Sequence, residues 1–186
     1  MDDRLLDKIA QPFNIELEER ETMREMIDEI LPAIRPFSEP HLDDEDSPLF
    51  SRNWVRMTDN PGDTVVKLHT FSRTGEIMVS NDGEMDSLSF KITDPNRIII
   101  GEAIHRNSFL FELAFMDNDF LILVRHGNER NFDNKYIFYA VEHIGTRLKY
   151  NEALTKLVTK YRNNAMPWWL VVVALLVIAA VVLYLT

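Results

Sequence analysis

Five histidines, thirty carboxylates and no cysteine bound the chemistry open to this 186-residue chain. His41, His69, His105, His126 and His143 are never closer than 17 positions, so no local pair has the spacing of a zinc site. Without a thiol there is neither thiolate chemistry nor a disulfide framework. The six glycines are scattered and build no G-x-G or P-loop, and no G-x-S-x-G elbow occurs. The acidic run from His41 to Pro48 has the composition of a cation loop. It lacks the alternating acidic spacing and the later glutamate that wrap calcium, so it reads as a solvated acidic linker. Arg125 to Lys135 is the most polar stretch of the central region and reads as an exposed hairpin loop, with a binding loop as the functional alternative. These residues predict a binding protein rather than an enzyme, with no cofactor and no metal. Catalysis would require acid–base groups assembled from distant positions.

The elements that would position such residues start from the other end of the chain. Trp168 to Leu185 holds 18 residues without a charge, about 27 Å as a helix and close to the ~30 Å hydrocarbon layer of a bilayer. Trp168 and Trp169 at one end and Tyr184 at the other suit the headgroup level, where amphipathic rings settle. The stretch is predicted to be a transmembrane tail anchor. Arg147, Lys149, Lys156, Lys160 and Arg162 precede it and no basic residue follows. The positive-inside rule then places the N-terminal part in the cytoplasm, at the inner membrane if the source is bacterial. Met1 to Phe13 lacks the basic and apolar regions of a secretory signal.

Charge divides the chain further. Residues 1–50 carry 15 acids and 5 bases, 51–142 carry 14 and 10, and 143–186 carry 1 and 5. Four parts are predicted: an acidic helical arm and linker (1–50), an antiparallel β domain (51–142), a juxtamembrane amphipathic helix (143–164) and the anchor (165–186). The anchor's neighbour is drawn to anionic headgroups and the arm is repelled by them. A nucleic-acid partner is not expected, because the part before the span offers no basic face for phosphates.

Within the arm, Met23, Met26, Ile27, Ile30, Leu31 and Ile34 fall at helical spacing, with Asn14 as the expected N-cap. This face either packs on the protein's own sheet or is a partner-binding or self-associating surface, with Met23, Met26, Ile27, Ile30 and Leu31 as its candidate contacts. Leu154, Leu157, Val158 and Tyr161 form a second stripe, packed on the β domain or laid on headgroups. Between them, seven strands are predicted at Thr64–Ser72, Gly75–Ser80, Ser87–Ile92, Arg97–Gly101, Phe109–Met116, Phe120–Arg125 and Tyr136–Glu142. Turn residues such as Asn81-Asp82-Gly83 and Asp94-Pro95-Asn96 separate them. Spacing this short leaves no room for crossover helices, so an antiparallel up-and-down meander follows, curved or closed into a small or partial barrel.

Trp54, the turn Phe71-Ser72-Arg73-Thr74-Gly75-Glu76, then Leu88–Ile92, Asn96–Gly101, Phe109–Leu113 and Asp119–Leu123 together resemble the small bacterial lipocalin-like domain over about residues 54–142. That resemblance implies a short barrel with an apolar pocket and carries over no functional residue. Phe90, Phe109, Phe111, Phe115 and Leu121 are the candidate lining. Two functions are therefore expected as alternatives. One is a membrane-anchored interaction or scaffold module that binds a protein partner or its own copies. The other is a barrel that holds a lipid or small apolar ligand at the membrane surface.

Overall fold

The computed structural model describes residues 22–63, 65–103, 106–127 and 135–162, and eight antiparallel strands among them close into one barrel. These are β1 (Asn53–Met57), β2 (Lys67–Ser72), β3 (Glu76–Asn81), β4 (Glu84–Asp94), β5 (Arg97–Ala103), β6 (Arg106–Met116), β7 (Phe120–Arg125) and β8 (Tyr136–Val141). Each pairs with its neighbour in sequence, and β1 meets β8 from Trp54 opposite Val141 to Met57 opposite Phe138. The seven expected strands recur with shifted ends, and β1 is the addition that closes the sheet. The architecture is compatible with a lipocalin-like fold. Reversals fall where turn residues stand. Asp82 and Gly83 both take positive φ, 48° and 89°, as a two-residue turn matched to strand twist requires.

The two ends of the barrel differ. At the base, the chain preceding β1 crosses the opening. Glu39 N donates to Met116 O and Leu42 N to Pro95 O, each at 2.7 Å. Leu42 and Leu49 are fully buried with Phe71, Phe90 and Ile98. A short helix α2 (Pro48–Ser51) follows, and the Trp54 indole N–H donates to Leu49 O at 3.2 Å. The acidic run is thus more than a solvated linker. Asp43 to Asp46 remain exposed while Leu42 plugs the lumen from within their sequence. The mouth, at the opposite end, carries the β1–β2 and β3–β4 connections.

Two helices cover one side of the wall. α1 (Met23–Ile34) starts at Thr22, which is extended (φ −127°, ψ 146°) and caps Glu25 N with its side chain, while the expected cap Asn14 lies outside the described residues. α3 (Glu142–Gly145) leads to α4 (Tyr150–Arg162). Ile27, Ile30, Ile34, Leu154, Leu157 and Val158 are buried against Val55, Phe115, Ile122 and Phe138 of the wall. Strands buried on both faces read as continuous apolar runs, which explains Phe120–Val124 and Tyr136–Val141. α3 packs tightly on β1: a Cβ on Gly145 would stand 2.4 Å from Val55 Cβ. Gly145→Ala is expected to cost about 1–3 kcal/mol through overpacking, seen as a lower urea midpoint with an unchanged slope.

Candidate functional site

The candidate partner face of α1 is already occupied. Met26, Ile27 and Ile30 are buried, and Met23 and Leu31 pack partly buried against the same cluster. The reading of these five residues as a free docking surface gives way to intramolecular packing, because the wall of β6–β8 is apolar outward and needs a cover. The α4 stripe is spent likewise: Leu154, Leu157, Val158 and Tyr161 face the barrel, so that apolar face does not lie on headgroups.

Of the candidate lining, Phe90, Phe111 and Leu121 sit in the lumen. Phe115 does not. The register of β6 against β7 shifts between Leu113 and Phe115, which turns Phe115 outward beneath α1 and α4. Phe109 is 45% exposed toward the mouth, with the Arg125 guanidinium 3.7 Å from its ring centroid. The lower lumen is filled by its own side chains, including Trp54, Phe71, Phe90, Phe111 and Tyr139. Small barrels are commonly filled this way. The expected anchor contacts Trp168, Trp169 and Tyr184 lie outside the described residues. Among the described residues no helix is long and apolar enough to cross a membrane.

Sequence reasoning missed the polar groups that the barrel does enclose. His69 is 3% exposed, stands opposite Trp54 and meets Tyr139 edge-on at 5.2 Å. Its Nδ1 lies 3.2 Å from Lys67 O, which can only accept, so that nitrogen carries the proton. Burial pushes its pKa down to about 4 against the Lys67 hydrogen bond, and the charges of Arg56 and Lys67 act in the same direction as burial. Burial also pushes the Tyr139 hydroxyl up to about 12. The folded chain thus refuses a proton that the unfolded chain takes near pH 6.5. No stability is lost above that pH. Between 6.5 and about 4 it falls by about 1.4 kcal/mol per pH unit, roughly 3 kcal/mol in all. His69→Gln is expected to remove this slope in urea titrations at pH 7 and pH 4.5 when compared with the parent chain.

Two ionic networks fasten the helices. Asp28 of α1 accepts from Lys135 Nζ at 2.6 Å and from the Tyr136 hydroxyl. Burial alone would raise its carboxyl, but these bonds and the charges of Lys135 and Arg24 hold it below the usual carboxylate range. The stronger network sits at the base. Asp117, in the β6–β7 turn and 6% exposed, accepts from Asp119 N and Phe120 N at 2.7 Å each, from Lys160 Nζ at 2.8 Å, and from the Tyr161 hydroxyl. Lys160 also reaches Asp119 at 2.6 Å. Burial would lower the Lys160 ammonium, yet the two carboxylates hold it above its ordinary value. Burial and the Asp117 carboxylate push the Tyr161 hydroxyl up. Every group here is consumed in holding the last turn of α4. Among the described residues no cluster of His, Asp or Glu has metal-binding geometry.

What remains outward is surface. Of the large apolar residues exposed among the described residues, Val65, Val66, Met85 and Phe109 stand at or beside the mouth, Met78 lies on the wall, and Phe37 is at the base. Four clefts among the described residues lie between helices, strands and turns, and the one beside the β2–β3 turn is bordered by Phe90 of the lumen. No protein-family model, no curated protein and no solved structure matches this chain.

Proposed function

We propose that the chain is a membrane-anchored, cytoplasm-facing interaction module, in which a lipocalin-like barrel presents its mouth to a protein partner. The observation that carries this reading is the polarity of the molecule. α4 ends at the base, where Lys160 and Tyr161 bind the β6–β7 turn, and the expected membrane span follows it in the chain. The exposed apolar residues Val65, Val66, Met85 and Phe109 gather toward the other end. Apolar residues exposed together on a monomer mark contact surfaces. The test is photo-crosslinking of the full-length chain in its native membrane beside a Val66→Asp, Met85→Asp variant. A discrete protein adduct lost in the variant is expected. Equal adducts from both chains, or lipid alone, would sink the reading. Carbonate extraction checks the anchor: the full chain stays in the membrane pellet, and a chain lacking 165–186 does not.

A ligand-binding barrel is the second reading, and one observation favours it. Asn81 Oδ1, on the β3 strand end at the mouth, is buried with no hydrogen-bond partner among the described residues. A buried acceptor left unpaired costs about 1–3 kcal/mol, which a small ligand or water with a donor group relieves. A native mass spectrum of the gently purified protein with no bound lipid or small molecule would remove this reading.

A further inference from the structure

The base carries a second surface that the interaction reading leaves unused. Ser51, Arg52, Asn53, Val141, Glu142, His143, Thr146 and Arg147 line an open cleft of about 510 Å³. Arg52 and Arg147 are both exposed there. The cleft sets these two guanidiniums against one acid, Glu142, which accepts from the Asn53 amide at 3.0 Å, so it keeps a surplus of positive charge. Arg52 Nη2 reaches Asn118 Oδ1 at 3.5 Å, which places the cleft beside the turn where Asp117 and Asp119 hold Lys160. The cations continue onto α4, where Glu152 is the one acid. Lys149, Lys156 and Arg162 are exposed and, like Arg147, form no ion pair among the described residues. Phe37, 45% exposed, stacks on Tyr161 at 4.7 Å and adds an aromatic ring to this side.

The other half of the base has the opposite sign. Asp43, Asp44, Glu45 and Asp46 are exposed, and the Arg73 guanidinium ties their loop to the β2–β3 turn through the carbonyls of Asp44 and Glu45. The end that faces α4's exit is thus split into a cationic and an anionic half.

We infer that the cleft of Arg52 and Arg147 takes the phosphate of an anionic phospholipid headgroup, and that the barrel docks on the bilayer with this half of its base down. This rests on the membrane anchoring proposed above. Tether length supports it: the expected span begins six residues after Arg162, a reach of at most about 20 Å. Charge complementarity supports it equally, since basic groups near an anionic surface are attracted and acidic ones repelled. The acidic half must lift as the cationic half settles, so the barrel tilts.

The test uses the full-length chain in vesicles, with one spin label at a time. The chain has no native cysteine, so Thr146→Cys labels the cleft and Glu45→Cys the acidic half. Lipids carrying a nickel chelate at the headgroup report proximity by relaxation. In vesicles containing phosphatidylglycerol, the Thr146 label is expected to relax faster than the Glu45 label, and in pure phosphatidylcholine the difference should vanish. Arg52→Gln with Arg147→Gln should lower the docking equilibrium constant about 25-fold, at roughly fivefold per basic group. High salt should act in the same direction. Equal relaxation at both labels in anionic vesicles, or no effect of the double substitution, would overturn the inference. Binding of inorganic phosphate in the cleft without any bilayer dependence would assign it to a free anion and overturn it too. A chain that fails to float with the vesicles overturns the anchoring and this inference together, whereas flotation with equal labels overturns this inference alone.

Discussion

Asp117→Ala is expected to lower stability by about 3–5 kcal/mol, because it removes the anionic partner from charged and polar groups held in a largely buried site. Asp117 is 6% exposed and accepts four hydrogen bonds, two from the backbone of its own turn and two from α4. Alanine leaves Asp119 N and Phe120 N without an acceptor, the Tyr161 hydroxyl unpaired and the Lys160 ammonium with Asp119 alone. Asp117→Asn keeps an oxygen for the turn and should cost less. Lys160→Met is the informative partner. It leaves Asp117 with three of its four donors, so the single change should be the mildest of the three. A double-mutant cycle between Asp117→Asn and Lys160→Met, read by urea denaturation, is expected to give a coupling of about 0.5–3 kcal/mol. A cycle that closes at zero would mean that the ion pair contributes nothing. The consequence extends past stability. Lys160 and Tyr161 are in the last turn of α4, so loosening them frees the helix end next to the expected span, and vesicle docking through Arg52 and Arg147 should weaken in parallel.

Much of this architecture was legible in the sequence, and the exceptions have physical causes. Turn chemistry marked the hairpins, as at Asp82-Gly83, because only a few residues tolerate positive φ. Helical spacing marked α1 and α4, because each must bury one stripe. β1 escaped notice since five residues, Asn-Trp-Val-Arg-Met, carry too little pattern to stand out. Its role as the closing strand depends on β8, more than 80 residues away. Simple alternation would put Phe109, Phe111 and Phe115, three of the candidate lining residues, on one face of β6. One extra residue in the ladder reverses the faces beyond it, so Ala114 and Phe115 pack outward while Met116 returns to the lumen. Leu42 was hidden by its neighbours. A lone leucine among acids has no periodicity, and only the barrel's open base gives it a place to go. The Asp117 network was equally invisible: Asp-Asn-Asp announces a turn, but Lys160 and Tyr161 lie more than 40 positions downstream. The charges of the cleft are similarly dispersed, with Arg52 and Arg147 brought together only by closure of β1 on β8.

Deleting residues 1–50 is expected to abolish folding of the barrel, although the sequence presents that segment as a separable acidic arm. The deletion strips α1 and the plug together. Met26, Ile27, Ile30 and Ile34 are buried against the wall, and Leu42 and Leu49 against the lumen. At about 1.5–3 kcal/mol for each fully buried apolar side chain, these six supply on the order of 9–18 kcal/mol, as much as the 5–15 kcal/mol that holds a typical domain together. The loss is greater than removal of contacts, since the apolar wall of Phe115, Ile122 and Phe138 would then have α4 alone as cover and be partly open to water. Aggregation is the expected fate in expression trials, with no cooperative thermal transition. Deleting 1–21 instead leaves the described core whole, because α1 begins with its own cap at Thr22. That shorter chain should melt within a few degrees of the parent. It is therefore the version in which a role of the acidic arm in partner capture can be measured, for any loss of adduct would then come from missing contacts and not from a missing fold. Ile30→Ala calibrates the argument: a cost of about 2–5 kcal/mol is expected for one such truncation. A cost near zero would show that α1 is dispensable and would restore its apolar face as a docking surface.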